Sequence, residues 1–317
     1  MNTLRGILLV LALTASGMAQ ALPVQRCINL SNFLEVAPSE SWVYDFEPSH
    51  VAAIADAGFD SIRIPAKVSA YWDGQRIDPR FAHLLRDVVE RAQNEDLFVI
   101  VDIHHFDELI EDPSGYAETF VDLWQALSEL FEDTSEIAFE LLNEPHDALT
   151  TEFLLPYYER AINNIRALHP DVWIIIGTDN WGGPEGLSKL PKPEDPKIVH
   201  TFHYYSPFEF THQQAEWMED PMPAANWGTE ADKEKLDRDI VGAASHHTKT
   251  FLGEFGVYHR APPSDRANWL KTVRQAAEAN NIGWCHWGFG AGFGLFDPAT
   301  QTWDNTLLEA LGLPQNQ

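Results

Sequence analysis

The chain has 317 residues, with 48 acidic against 21 basic side chains and a formal net charge of −27. That length gives room for one α/β barrel or two ordinary domains, and an apolar content of 44% is that of a globular chain. The acidic balance argues against nucleic acid or an anionic membrane as partner, since both need basic patches, and suits a neutral ligand.

In chain order, residues 1–21 read as a secretory leader. Arg5 gives a basic start, residues 6–13 are mostly aliphatic, and Ala19-Gln20-Ala21 is an A-x-A cleavage site. The apolar run is too short to span about 30 Å of hydrocarbon, and no cysteine follows the cut to carry a lipid. The mature chain, residues 22–317, is expected to be a single exported domain, periplasmic or extracellular, monomeric and free of the membrane.

Beyond the leader, strand-like apolar runs alternate with segments of helical period. Strands are predicted over 26–30, 61–65, 98–103, 137–142, 173–177, 198–202, 250–253 and 283–287. Helices are predicted over 50–58, 79–94, 116–131, 151–168 with Thr151 as cap, 230–246, 264–280 and 305–311. Eight strands alternating with helices imply parallel pairing through crossovers, and eight such units close into a (β/α)₈ TIM barrel. The alternative is an open doubly wound sheet, but no glycine-rich fingerprint follows the first strand. Long loops at 179–197 and 206–228 are expected to build a site. Cys27 and Cys285 fall on the first and last strands, which are neighbours in a closed barrel; they form either a disulfide or two buried thiols.

Taken at their strand ends, the polar residues collect on one rim. Asn29 follows strand one, Arg63 lies on strand two, and His104 and His105 end strand three. Asn143 and Glu144 end strand four, Trp181 follows strand five, and His203, Tyr204 and Tyr205 end strand six. Glu254 ends strand seven and Trp287 strand eight. In a barrel these converge on the C-terminal mouth. Glu144 and Glu254, two strand-end glutamates 110 residues apart, are what a two-carboxylate glycosidase needs: one protonated to donate to the leaving oxygen, one ionised to attack the anomeric carbon. Arg63 would hold a neighbouring carboxylate ionised and the Tyr205 hydroxyl would orient it. Asn143 can bond a sugar 2-hydroxyl, and His104 and His203 can hold the network. Each has a plainer reading: Arg63 as a buried ion-pair partner, His104 and His105 as core histidines, and Trp181, Trp217, Trp227 and Trp287 as packing. With 13 histidines a metal has to be weighed, but the first strand has no His-x-His and zinc-type Cys/His spacing is missing, so neither metal nor cofactor is expected. A nucleophile elbow and a P-loop are also absent.

The motifs Ser61-Ile62-Arg63-Ile64-Pro65, Ile103-His104-His105, Leu142-Asn143-Glu144-Pro145, His203-Tyr204-Tyr205, Gly253-Glu254-Phe255-Gly256 and Trp287, in this order and spacing, resemble glycoside hydrolase family 5, the cellulase family of (β/α)₈ barrels. The segments 177–183 and 205–213 resemble its compact bacterial endoglucanases. The resemblance covers Asn29 to Trp303. It implies a retaining endo-β-1,4-glucanase with Glu144 as acid/base and Glu254 as nucleophile, completed by Arg63, His104, Asn143, His203, Tyr205 and Trp287. One departure is Cys27, where the family usually carries glycine. Mannanase, lichenase or xyloglucanase specificity on the same machinery stays open, to be set by loop residues such as Glu209, His212 and Trp217. Rivals of another class are a non-catalytic sugar-binding barrel and a metal-dependent barrel hydrolase. With no binding module or linker after the barrel, soluble or amorphous glucan is the expected substrate. Asn29-Leu30-Ser31 lies by the site and is not read as glycosylated.

Overall fold

The computed structural model describes residues 21–39, 46–246 and 249–314. The expected leader lies, except for Ala21, outside the described residues. No helix among them is long and apolar enough to cross a membrane.

Eight parallel strands close into a barrel in sequence order: β1 (Arg26–Asn29), β2 (Ser61–Ala66), β3 (Phe98–Ile103), β4 (Ile137–Glu140), β5 (Trp173–Ile176), β6 (Ile198–Tyr204), β7 (Thr250–Phe255) and β8 (Gly283–His286). The main crossover helices are α1 (Pro48–Asp56), α2 (Pro79–Asn94), then, after the short α3 (Asp107–Glu111), α4 (Pro113–Ser128) and α5 (Thr151–Leu168). After the one-turn α6 (Phe208–Thr211) come α7 (Glu230–His246) and α8 (Pro263–Ala279), and α9 (Asn305–Ala310) closes the chain. The single-domain (β/α)₈ expectation holds. Helix starts follow local chemistry. The Asp78 carboxylate accepts from the backbone N–H of Arg80 and Phe81, with Pro79 behind it. The cap of α5 is Thr150, which accepts from Phe153 N–H, and not Thr151, which is the first helical residue.

Side chains alternate across each strand, so the barrel has two apolar regions. The larger lies between strands and helices and includes Trp124, Trp269 and Trp284. The smaller fills the N-terminal end of the barrel interior, where Phe98, Ile100, Trp173, Ile175 and Phe251 point inward. Cys27 and Cys285 are directly paired across the β1–β8 seam, with Cα atoms 4.1 Å apart, and they form a disulfide.

That disulfide closes a loop of 258 residues, so it constrains the unfolded chain by about 2–4 kcal/mol. The Cys27→Ser/Cys285→Ser double variant should melt roughly 5–10 °C lower in scanning calorimetry. An unchanged melt would show that strand pairing alone sets the stability of the seam.

Candidate active site

Above the apolar floor the barrel interior turns polar around Arg63, which is wholly buried. Its Nε and Nη2 donate to both oxygens of Glu140 at 2.8 and 2.9 Å. Nη1 donates to Asn29 Oδ1 and Glu254 Oε1, both at 2.8 Å. Nη2 also reaches Asn143 Oδ1 at 2.9 Å and Asp102 Oδ2 at 2.5 Å. The planar fork is thus shared among three carboxylates and two amides carried by four other strand segments. Asn29 turns its amide donors to Gly253 O and His286 O, at 3.1 and 3.2 Å, which ties β1 to β7 and β8.

Two glutamates face the mouth. Glu144 sits in the turn after β4 with φ +41°, a left-handed conformation that is costly for a non-glycine residue. The turn is held by Asn143 N–H on Ile103 O, by His146 Nδ1 on Glu144 O at 2.7 Å, and by Trp181 N–H on Pro145 O. Glu254 is placed differently. The β6–β7 register slips by one between Phe202↔Leu252 and His203↔Glu254. Phe251 points inward and Leu252 outward, so strict alternation would send Glu254 out; the bulge at Gly253 turns it in. Only glycine fits there, because a Cβ would lie 2.6 Å from Thr201 Oγ1 and 2.9 Å from His203 Nε2. Glu254 Oε2 accepts from the Tyr205 hydroxyl at 2.9 Å. His203 Nδ1 stands 2.6 Å from Glu144 Oε1 and 3.7 Å from Glu254 Oε2. Oxygens of the two glutamates and the His203 nitrogen all lie within 4.8 Å of one another.

Burial pushes both glutamates up, to about 7. Two charges this close do not ionise together, and their surroundings decide the order. Glu254 already has a guanidinium and a hydroxyl on its two oxygens, so it ionises first. Glu144 has no contact with Arg63 and keeps its proton. His203 is pushed down by burial and stays neutral. The pair can therefore present one acid and one carboxylate at neutral pH.

The cleft above them has a volume of 1420 Å³. Of the residues expected at the site, His104, His105, Asn143, Glu144, Trp181, His203, Tyr205, Trp217, Glu254 and Trp287 line it. Arg63 and Asn29 lie beneath its floor, holding the others. Trp181 is exposed and stacks on His146 at 3.5 Å, and Trp217 is exposed opposite Tyr258 and Phe293. Glu209 is exposed on α6 and stands outside the cleft lining, whereas Phe208 and His212 on either side of it belong to it. Trp227 is packing, buried in the larger core. Sequence reasoning missed Asp102, Glu140 and Glu35. The first two carried a signal, a lone acid inside a buried strand. Glu35, in the loop after β1, carried none. It lines the cleft, accepts from Asn32 N–H and Nδ2, and faces His104 Nε2 at 3.3 Å. Burial pushes it up to about 8. Among the described residues two groups have metal-ligand composition, Glu35–His104–His105 and Glu144–His203–Glu254.

A family model described as Cellulase (glycosyl hydrolase family 5) matches residues 28–292. Endoglucanase H of Acetivibrio thermocellus is 30% identical over 305 residues, which cover 90% of this chain and 32% of that protein; the chain therefore spans about a third of that relative's length. The crystal structure of the cellulose synthase subunit Z of Clostridioides difficile superposes with a TM-score of 0.88 at 34% identity, covering 91% of this chain and 99% of the other. Structures of Thermotoga maritima Cel5A with cellobiose and with mannotriose each give 0.86 at 34% identity, over 91% and 97% of the two chains. The chain belongs to glycosyl hydrolase family 5 and is a glycoside hydrolase.

The raised carboxyls have a consequence for stability. Glu35, Glu144 and Glu254 stay protonated in the fold after the unfolded chain has released those protons, so they destabilise it as pH rises from about 4.5 towards 8. Buried neutral histidines act in the opposite sense, but that effect is complete once the unfolded chain's histidines are neutral, above about pH 7. Melting temperature should therefore fall between pH 7 and 8.5, and Glu35→Gln should flatten the fall. A wild-type profile that is flat there, or an equal slope in the variant, would contradict the buried-acid account.

Proposed function

We propose that the chain is an exported endo-β-1,4-glucanase, with a leader over 1–21 and one catalytic domain over 22–317, which cleaves internal bonds of cellulose-type or mixed-linkage glucan with net retention. The observation that carries the mechanism is the glutamate pair. One oxygen of each carboxyl lies within 4.8 Å of the other, which favours the roughly 5–5.5 Å carboxyl spacing of retaining enzymes over the about 6.5–9.5 Å of inverting ones. Glu254 attacks the anomeric carbon as Glu144 gives its proton to the departing glycosidic oxygen, leaving a glycosyl ester on Glu254. Glu144, now a carboxylate, takes a proton from water, and that water displaces Glu254 from the anomeric carbon.

The surrounding residues have roles consistent with this. Arg63 and Tyr205 hold Glu254 ionised and aimed. His203 holds Glu144. Asn143, anchored on Arg63 through its carbonyl, leaves its amide free for the sugar 2-hydroxyl. Trp181, Trp217 and Trp287 offer ring faces for pyranose units, and the spread of exposed aromatics along the cleft suits a chain bound through several sugars. Export is supported by the Cys27–Cys285 disulfide, which persists in oxidising compartments. A second reading, activity on mannan or glucomannan, is favoured by the mannotriose complex of the Thermotoga relative.

Glu144→Gln should lower kcat by roughly 10²–10⁴, and Glu254→Gln should leave no turnover, with both proteins folded by circular dichroism. Substantial turnover in Glu254→Gln would remove it from the nucleophile role. Proton NMR of the first product should show the β-anomer, and an initial α-anomer would rule out double displacement.

On carboxymethylcellulose, mixed-linkage β-glucan, glucomannan, mannan and xylan, viscosity should drop ahead of reducing ends on the first two. Release confined to mannan would replace glucan by mannan as the substrate, and release from none would overturn the polysaccharide assignment.

A further inference from the structure

Besides Arg63, one other arginine among the described residues is buried, and its surroundings are of the opposite kind. Arg266 stands in the first turn of α8, outside the barrel, with 8% of its surface exposed. Among the described residues it forms no ion pair. Its Nε donates to Val257 O at 2.9 Å, and its Nη2 to Phe293 O and Gly294 O at 2.9 and 3.0 Å. Burial pulls the guanidinium down to about 10. A cation in the first turn of a helix also faces the positive end of the helix dipole. Burial and the dipole both oppose a charge here, so what the group ties together has to explain it.

Val257 follows β7, and Phe293 and Gly294 follow β8. The fork therefore bridges the β7 and β8 loops, one nitrogen to each. These loops lie directly on one another. Trp287 N–H donates to Phe255 O at 2.8 Å, and His259 N–H to Gly292 O at 2.9 Å. A Cβ on Gly256 would overlap Trp287 O, and one on Gly292 would overlap the Tyr258 ring, so the seam closes only because both are glycine. At the cleft the two loops present Tyr258 and Phe293. The exposed Trp217 of the β6 loop stands against both, edge-on to Tyr258 at 4.8 Å and 6.0 Å from Phe293.

We infer that Arg266 is a positioning residue for the substrate: it locks the β7 and β8 loops into one wall, which gives Trp217 a fixed backing on which to hold a sugar ring. This rests on the polysaccharide reading above and adds to it a residue that never touches the sugar. Arg266 does not reach the glutamates, since Glu254 takes its donors from Arg63 and Tyr205, and Glu144 is held by His203. The clamp acts on how firmly the chain is held and not on the bond-breaking step, so its loss raises KM and leaves kcat.

The test is steady-state kinetics of the full chain on whichever polysaccharide of the panel the wild type cuts fastest, with amide hydrogen exchange beside it. Arg266→Met keeps the length of the side chain and removes the fork; KM should rise about fivefold or more, with kcat within about twofold of wild type. Arg266→Lys keeps the charge but cannot serve both loops at once, and should raise KM by about two- to fivefold; it decides the matter if Arg266→Met does not fold. Gly292→Ala forces the seam open from the other loop and should give the same split. In both Arg266 variants the amides of 256–260 and 288–295 should exchange about tenfold faster, while β1 to β4 keep their protection. The Cys27→Ser/Cys285→Ser variant controls for lost stability and should keep the wild-type KM. A wild-type KM or unchanged exchange in the Arg266 variants would overturn the inference. So would a fall in kcat at constant KM, or an equal rise of KM in the disulfide variant. A wild type that cuts none of the panel would overturn the polysaccharide assignment instead, and the exchange pattern alone would then decide the clamp.

Discussion

One guanidinium organises the interior of this barrel. Arg63 meets Asn29 from β1, Asp102 from β3, Glu140 and Asn143 from β4 and its turn, and Glu254 from β7. No lysine could do this, since a single ammonium has neither the fork nor the reach to serve five side chains in a plane. An arginine buried this deeply costs several kcal/mol in lost hydration, and its pairing with carboxylates is what makes the arrangement tenable. Its partners then inherit their geometry from it, so the position of Glu254 and the orientation of Asn143 both depend on one side chain on β2.

The same centre creates a charge imbalance. Asp102, Glu140, Glu254, Glu144 and Glu35 surround one arginine, and the nearby histidines His104 and His203 are held neutral by burial. Protons reduce the excess, and burial places them on Glu35 and Glu144, neither of which touches the guanidinium. The apolar floor of Phe98, Ile100, Trp173 and Phe251 beneath this layer keeps the local dielectric low, so each charge is felt by the others. From the cleft wall inward, Glu35, His104, Asp102, Arg63 and Glu254 form one unbroken polar path.

Much of this was legible in the chain. Eight apolar runs alternating with helical segments gave the barrel, and strand-end polar residues gave most of the cleft lining. Reading only strand ends, however, overlooked Asp102 in Phe-Val-Ile-Val-Asp-Ile and Glu140 in Ile-Ala-Phe-Glu, acids whose place in buried strands already required a cationic partner. The inward aim of Glu254 was not legible from alternation, because it depends on a register slip set by how closely Gly253 packs against Thr201 and His203. Glu35 was beyond reach, since its place follows from the path of a loop and not from any periodicity. Glu209 is a related case: Phe208 and His212 face the cleft, while Glu209 on the same one-turn helix is exposed outside its lining.

The β1–β8 seam bears on how the chain reaches this state. Cys27 and Cys285 are partners across a gap of 258 residues, and β1 finds one of its two neighbours only when residue 283 is present. A chain still being made has an open sheet with two bare edges, and no partial product can complete the polar centre, because Glu254 arrives with the seventh strand. Closure is thus deferred until nearly the whole polypeptide exists. Until its last strand is made, such a chain carries two unpaired strand edges, the surfaces through which open sheets pair with other chains.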